Sequence, residues 1–555
     1  SMMQMTGADL IVKLLERQGI TTIAGVPGGA ALPMYDALSK SEQIHHVLCR
    51  HEQGAGFIAQ GMARVSGRPE VCLASSGPGA TNLVTAIADA KLDSIPMIAL
   101  TGQVPLSMIG TDAFQEVDTY GLTIPITKHN FLVRSAKDLL SVVPSAFRIA
   151  MSDRPGPVLI DVPKDVQNQM VSFEEYPDVV VPDAAPVFDI AAIEEAAKMI
   201  EAAERPVLYL GGGVIHSGAA HMAVTLAEQA SLPTTMTLMA LGAMPMDHPL
   251  SLGMLGMHGA RYTNYVLEEA DLLICVGARF DDRAIGKTAE FCPNAKIIHI
   301  DIDRSELHKV KNANVAIAGD VGQVLSELLP RIKPQLRKRW LSHVESLKSR
   351  FPLAMPGVDD PRSPYGLIHA VANCLDDSAI ITSDVGQHQM WVAQAYPFRR
   401  SRQWLNSGGL GTMGFGFPAA IGAALAAPDR TVVCFSGDGS LKMNIQEMAT
   451  AAQEDVNVKI VLFNNQSLGL VHQQQSMFYG KRIMASRYER PTDFLKIAEG
   501  FGMRAVDLDP AANPRAVLAE ALQTRGPCLI HATIDPNEFV YPMVPPGAAN
   551  SEMIG

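Results

Sequence analysis

Short apolar, β-branched runs alternate with amphipathic, helix-like stretches along nearly the whole chain, and this alternation constrains its fold more than any other feature. Strands that read as unbroken apolar runs are buried on both faces, the habit of parallel sheets covered by helices, so the pattern predicts an α/β protein. In the first third, TTIAGV, VCLASS, PMIAL and PVLIDVP read as buried strands, with helices over residues 8–17, 53–64 and 80–90. The middle third repeats the style in RPVLYLGGG, LPTTMTL, ADLLICVGARF and AKIIHIDID, and the last third in SAIITSDVG, RTVVCFSGDGS, VKIVLFNN and GPCLIHATID. A stretch with three prolines at 173–189 reads as one linker; a charged helical segment at 334–350, followed by a Pro/Asp/Gly-rich piece to 364, contains the second. The expected organisation is three α/β units, 1–180, 190–345 and 360–555, with linkers near 173–189 and 346–364.

Composition narrows the function. With 47% hydrophobic and 18% charged residues, the 555-residue chain is too apolar for disorder, and its shortage of charge suggests surface buried between subunits. A formal charge of −12 argues against nonspecific nucleic-acid binding and against a polybasic membrane patch. The 7 scattered cysteines include no CxxC pair, which fits a reducing cytoplasm rather than a disulfide framework or zinc ribbon. No run approaches the roughly 20 apolar residues of a membrane span. The start, SMMQM, lacks a basic then apolar signal segment, so a cytoplasmic protein is expected.

The strongest chemical signal is Gly437-Asp438-Gly439 followed by Asn464-Asn465, each directly after an apolar run, VVCF and IVLF. Residues 440–463 between them suit a strand–helix–strand crossover, so the two strand ends can lie side by side at the edge where α/β sheets bind ligands. An Asp and an Asn there supply hard oxygens for Mg²⁺, which usually binds through few protein ligands together with phosphates. A helix opening at Ser440 would point free N–H groups at a diphosphate, and the glycines permit close approach. The weaker alternative is two ordinary strand-to-helix turns. Glu52, in CRHEQGAGFIAQGMAR, opens a helix, where an acid has a small favourable dipole term without any catalytic role.

The GDG…NN pattern, within GDGSLKMNIQEMATA and FNNQSLGLV, resembles the thiamin diphosphate (ThDP) signature, and the text around it is similar to the catalytic subunits of the acetohydroxyacid (acetolactate) synthase family, isozyme I type, over roughly residues 5–550. The resemblance implies three doubly wound domains: pyrimidine-binding, FAD-binding and diphosphate-binding. It implies Mg²⁺ held by Asp438, Asn465 and the Ser467 carbonyl. Gly386, Gln387 and His388 would meet the diphosphate along with Gly437, Gly439, Ser440, Gly469 and Leu470. Met413 would wedge under the cofactor, with Gly411 beside it on the pyrimidine. Glu52 would hydrogen-bond the pyrimidine N1′, and Pro27 and Gly28 would pack beside it. Phe114, Gln115 and Lys128 would line the substrate channel.

For FAD, the resemblance implies Arg154, Gly211, Gly212, Gly213, Thr237, Leu238, Met239, Gly256, Met257, His258, Gly277, Arg279, Asp281, Arg283, Asp301, Ile302 and Asp320. The GGG turn is not GxGxxG, and the acid-tipped strand comes too late for a plain NAD fingerprint.

Arg283 would clamp the carboxylate of the second 2-oxo acid, a task suited to a bidentate guanidinium. Met257, Val471 and Gln474 would line the same pocket. Most members carry Trp at the position of Gln474, so only weak preference for 2-oxobutyrate over pyruvate is expected. The implied activity is acetolactate synthase: decarboxylation of pyruvate and condensation of its two-carbon unit with pyruvate or 2-oxobutyrate, in branched-chain amino-acid biosynthesis. The implied assembly is a homodimer or homotetramer, because Glu52 and GDG…NN come from different subunits in this family, with a small regulatory subunit as further partner. The rival within enzymes is another FAD- and ThDP-dependent protein such as pyruvate oxidase. Outside enzymes it is a nucleotide-binding scaffold, against which the joint presence of Glu52, Asp438 and Asn465 argues.

Overall fold

The computed structural model describes the backbone of residues 1–555 and all side chains except those of Asp282 and Arg283. β1 (Met3–Thr6) opens the chain. Six strands then form the first sheet: β2 (Thr22–Gly25), β3 (His45–Leu48), β4 (Glu70–Ala74), β5 (Met97–Gln103), β6 (His129–Leu132) and β7 (Pro157–Pro163). β8 (Met170–Phe173) returns to pair antiparallel with β1. Residues 174–189 carry neither helix nor strand. The second sheet holds β9 (Pro206–Leu210), β10 (Thr234–Met236), β11 (Ser251–Met254), β12 (Leu272–Val276), β13 (Lys296–Asp301) and β14 (Val315–Ala318). The third holds β15 (Ile380–Ser383), β16 (Trp404–Leu405), β17 (Val432–Gly437), β18 (Val458–Asn464), β19 (Arg504–Asp507) and β20 (Cys528–Thr533).

All three six-stranded sheets are parallel, so the α/β expectation holds. The first runs β3-β2-β4-β5-β7-β6 and the third β16-β15-β17-β18-β20-β19, which is one topology used twice. The second runs β11-β10-β9-β12-β13-β14, the doubly wound dinucleotide-binding order. The central strands are fully buried, as Val433, Phe435, Ile460 and Ile274 illustrate, which is why they read as unbroken apolar runs.

The cores run across the units. One cluster joins Leu210 and Ile274 of the second unit to Trp391 and Phe398 of the third. Another joins Ile58 and Met62 of the first to Phe417 and Ile421 of the third. This second contact is made by the helices Glu52–Ser66 and Gly416–Ala426. A Cβ on Gly61 would collide with the Ala419 carbonyl, and one on Gly422 with the Ile58 carbonyl. Glycine at both places lets the two backbones touch.

The structure corrects two elements. The expected helix 80–90 is two helices, Pro78–Thr81 and Val84–Leu92, broken at Asn82–Leu83. The charged segment expected from 334 becomes helical only over Lys338–Arg350.

Candidate active site

In each sheet the chain winds one way from a central strand and then the other, leaving a crevice between the two strands where it reverses. These pairs are β2/β4, β9/β12 and β15/β17. The sequence motifs fall at all three crevices.

At β15/β17, Gly386 follows β15 with φ of 142° and caps the helix Gln387–Ala395. Gly437 closes β17 and caps the helix Asp438–Lys442. A third helix, Gly469–Phe478, starts beside them. One small cleft is lined by Gly386, Gln387, His388, Met413, Gly437, Ser440, Asn465 and Gly469. Free N–H groups at three helix starts thus converge, the arrangement that holds a diphosphate. Asp438 Oδ1 accepts from Asn465 N at 3.1 Å, while its Oδ2 is buried with no partner. Burial pushes the Asp438 carboxyl up to about 6. A buried carboxylate oxygen lacking a donor suits a divalent cation, so the residues fit Mg²⁺. Asn465 Oδ1 accepts from Ser467 N at 3.2 Å, and Asn465 Nδ2 donates to Gln387 Oε1 at 3.2 Å, which fixes the turn beside Asp438. A Cβ on Gly439 would lie 2.8 Å from Leu468 Cδ2, and one on Gly469 would collide with Gln387. Burial pushes His388 down to about 3, so it is neutral, and its Nε2 has no partner. Gly411, at φ of 66°, has open space around it and precedes Met413 by two residues. Leu470 occupies the first turn of the third helix.

At β2/β4 the crevice is tighter. Gly28 lies against Ser75, and a Cβ there would come 2.5 Å from the Ser75 Cβ. Pro27 is exposed beside it. Glu52 follows β3 at the start of its helix, whose cap is His51, with Nδ1 accepting from Gln53 N at 3.1 Å. Asn82 Nδ2 donates to Glu52 Oε1 at 3.1 Å. Sequence reasoning missed Asn82, because only the break in the expected helix turns it toward Glu52. Glu52 Oε2 faces Gly79, 3.4 Å from where a Cβ would stand. Phe114 is 88% exposed, and Gln115 is exposed with φ of 57°. Lys128 lines neither cofactor cleft: its amine donates to the carbonyls of Ile149, at 2.5 Å, and Ser152, at the end of the helix Leu139–Met151. Burial lowers its pKa from the usual lysine value.

At β9/β12 lies a cleft of about 450 Å³. Arg154, Gly211, Gly212, Gly213, Thr237, Leu238, Met239, Met257, His258, Gly277, Arg279, Asp281, Asp301, Ile302 and Asp320 all line it. Gly256 lies one residue from the lining, and the Arg283 side chain lies outside the described residues. Gly277, at φ of 62°, and Gly213 touch backbone to backbone; a Cβ on either would come 2.7 Å from the other's Cα. Thr237 Oγ1 is buried without a partner, and burial pushes Asp301 up to about 7. Asp320 caps the helix Val321–Leu328, accepting from Gln323 N at 2.9 Å. A cleft at a doubly wound crevice, lined by glycines and holding an unsatisfied hydroxyl, fits a dinucleotide such as FAD. Asp93, Ser94, Glu306, Gly408 and Gly409 also line it, unforeseen from the sequence. They come from all three units, and no short motif marks them.

Val471 and Gln474 stand three residues apart on one face of the helix Gly469–Phe478, Val471 exposed and Gln474 half-buried.

Comparison with known proteins agrees with this geometry. Residues 5–122, 193–328 and 384–532 match, in turn, the N-terminal TPP-binding, central and C-terminal TPP-binding domains of the thiamine pyrophosphate enzymes. The chain is 65% identical over 550 residues to the acetolactate synthase isozyme 1 large subunit of Escherichia coli K12, covering 99% of this chain and 98% of that one. It is 45% identical to the isozyme 2 large subunit of the same organism, covering 99% of each. It is also 45% identical to the probable acetolactate synthase large subunit of Methanocaldococcus jannaschii, covering 99% of this chain and 95% of that one.

Proposed function

The chain belongs to the acetolactate synthase large-subunit family of thiamine pyrophosphate enzymes, and from that premise we propose how its residues divide the work. The activity is acetolactate synthesis with ThDP, Mg²⁺ and FAD as cofactors: one pyruvate loses CO₂ and its two-carbon remainder joins the carbonyl of a second 2-oxo acid. When bound, ThDP supplies the electron sink for the carbon that loses CO₂. Asp438, Asn465 and the Ser467 carbonyl hold Mg²⁺, and the helix starts at Gly386, Gly437 and Gly469 hold the diphosphate. The observation that carries this assignment is the buried, unpartnered Asp438 Oδ2 beside those helix starts.

Glu52 manages a proton at the aminopyrimidine edge. Asn82 occupies Oε1, which leaves Oε2 to hold that proton. Met413, which lines the diphosphate cleft, would pack against the bound cofactor. Glu52 does not line the diphosphate cleft of its own chain. That separation, with the exposed apolar side chains of Phe114, Leu410, Val471 and Met484, supports an active site built from two copies of the chain. A homodimer or homotetramer satisfies this. The relatives are named large subunits, which supports a smaller regulatory partner. No helix among the described residues is long and apolar enough to cross a membrane, which is compatible with a cytoplasmic enzyme.

Arg283 binds the acceptor's carboxylate, with Met257, Val471 and Gln474 around its alkyl end. Gln474 offers an ethyl group little apolar surface, so pyruvate and 2-oxobutyrate compete as acceptors on nearly equal terms. The test of the whole reading is Glu52→Gln. It should lose nearly all acetolactate formation yet still bind ThDP with Mg²⁺; wild-type rates in that variant would refute the role given to Glu52.

A further inference from the structure

Between the two cofactor clefts runs a short segment of the third unit, residues 406–413. At one end Gly408 and Gly409 wall the 450 Å³ cleft; at the other Met413 lines the diphosphate cleft. What fixes this segment is a carboxylate pair from a different unit. Asp89 lies on the helix Val84–Leu92 and Asp93 is that helix's C-cap; they are 0% and 5% exposed. Asp89 Oδ2 accepts from Ser407 Oγ and, at 2.7 Å, from Thr412 Oγ1. Ser407 Oγ in turn accepts from Thr412 N at 2.9 Å. Asp93 accepts from Gly409 N at 2.8 Å and Gly408 N at 3.2 Å. Arg64 ties the two acids together, donating to Asp93 Oδ2 at 2.8 Å, to Asp89 Oδ1 at 3.4 Å and to the Asn406 carbonyl at 2.8 Å. Beyond Met413, Gly414 N donates to Asp384 Oδ1 at 2.8 Å, so Met413 is held from both sides.

Two buried acids against one arginine are a costly way to close an interface. Burial and the neighbouring Asp93 push Asp89 up to about 6, and apolar residues of similar size would often be more stable there. What the acids provide is a fixed geometry: each hydrogen bond pins one particular atom of the segment.

We propose that Asp89 and Asp93 are positioning residues for both cofactor clefts, fixing residues 407–412 as a strut that links the flavin wall at Gly408–Gly409 to Met413. This rests on the cofactor assignment of the two clefts given above. Filling the flavin cleft steadies one end of the strut and thereby the other, so FAD and ThDP strengthen each other's binding, equally in both directions.

Equilibrium dialysis on the whole enzyme tests this, measuring the ThDP dissociation constant in Mg²⁺ with and without FAD, and that of FAD with and without ThDP. Wild type should show the same tightening from either side, about fivefold or more. Thr412→Val removes the hydroxyl that Asp89 holds; it should cut the coupling below about twofold while FAD binding alone stays near wild type, and Thr412→Ser should restore it. Asp89→Asn should behave like Thr412→Val if it folds, and the threonine pair decides the matter if it does not. Wild type binding both cofactors without coupling, or coupling intact in Thr412→Val, overturns the strut and leaves the cleft assignment standing. Failure to bind either cofactor overturns the assignment and the strut together.

Discussion

The first and third sheets have the same strand order and reverse at the same place, yet their crevices differ. Between β15 and β17 three helix starts converge beside a buried carboxylate oxygen without a donor. Between β2 and β4, Gly28 and Ser75 close the gap, and the acid that matters, Glu52, stands half-buried on the next helix with one oxygen held by Asn82. Topology therefore supplies two equivalent crevices, and their different side chains support the proposed split into an anion and metal cradle and a proton-handling wall.

The sharpest way to break this comparison is to exchange charge for amide at each crevice. Glu52→Gln should lower the acetolactate rate by about 10²–10⁴-fold, the range for a lost proton-transfer group, with ThDP affinity nearly unchanged. Asp438→Asn should do the reverse at equilibrium: ThDP retention in Mg²⁺, read by dialysis, should fall by about 10²-fold. If both variants lose binding alike, the division of labour is wrong.

The contact that clamps the two units is tested by Gly422→Ala. Its Cβ would meet the Ile58 carbonyl, and overpacking of this kind costs about 1–3 kcal/mol, read as a lower Tm. An unchanged Tm would mean that the two helices can move apart. On the third unit's helix Gly469–Phe478, Gln474→Trp should raise selection of 2-oxobutyrate over pyruvate by roughly tenfold in a competition assay, within the roughly 1–3 kcal/mol that a methylene can contribute. No change would remove Gln474 from the acceptor pocket.

The smallest expected effect separates the sheets by pH. Asp161 on β7 is pushed up to about 7 and Asp384, just past β15, to about 6, both chiefly by burial. An acid whose folded pKa is raised adds stability below its unfolded pKa and loses it as pH rises through the folded one. Wild type should lose stability between about pH 4 and 7. Asp384→Asn should flatten that fall between about pH 4 and 6, whereas Asp161→Asn should flatten it across the whole window up to about pH 7, measured as urea midpoints at a series of pH values. Parallel curves for all three proteins would refute the assignment.

Much of this was legible because it is local. Apolar runs ending in glycine marked β9, β15 and β17, and GDG and NN named the third crevice from their own spacing. The short edge strands His129–Leu132, Val315–Ala318 and Trp404–Leu405 carried too little pattern to notice. Asn82 was hidden inside an apparent helix, and Lys128 gave no hint that its amine caps a helix. Asp89 and Asp93 looked like ordinary helix acids, since the segment they hold lies more than 300 residues away in sequence.

The sequence by itself determined three α/β units with parallel sheets and the chemistry at each strand end, because hydrophobic period and turn residues act over a few positions. Only the tertiary structure decided that the outer sheets share one topology, that Asn82 holds one oxygen of Glu52, and that acids of the first unit hold the loop carrying Met413. These depend on which helix faces meet. Two glycines facing two carbonyls, and buried carboxylates seeking donors, set that meeting through contacts that no local window of sequence contains.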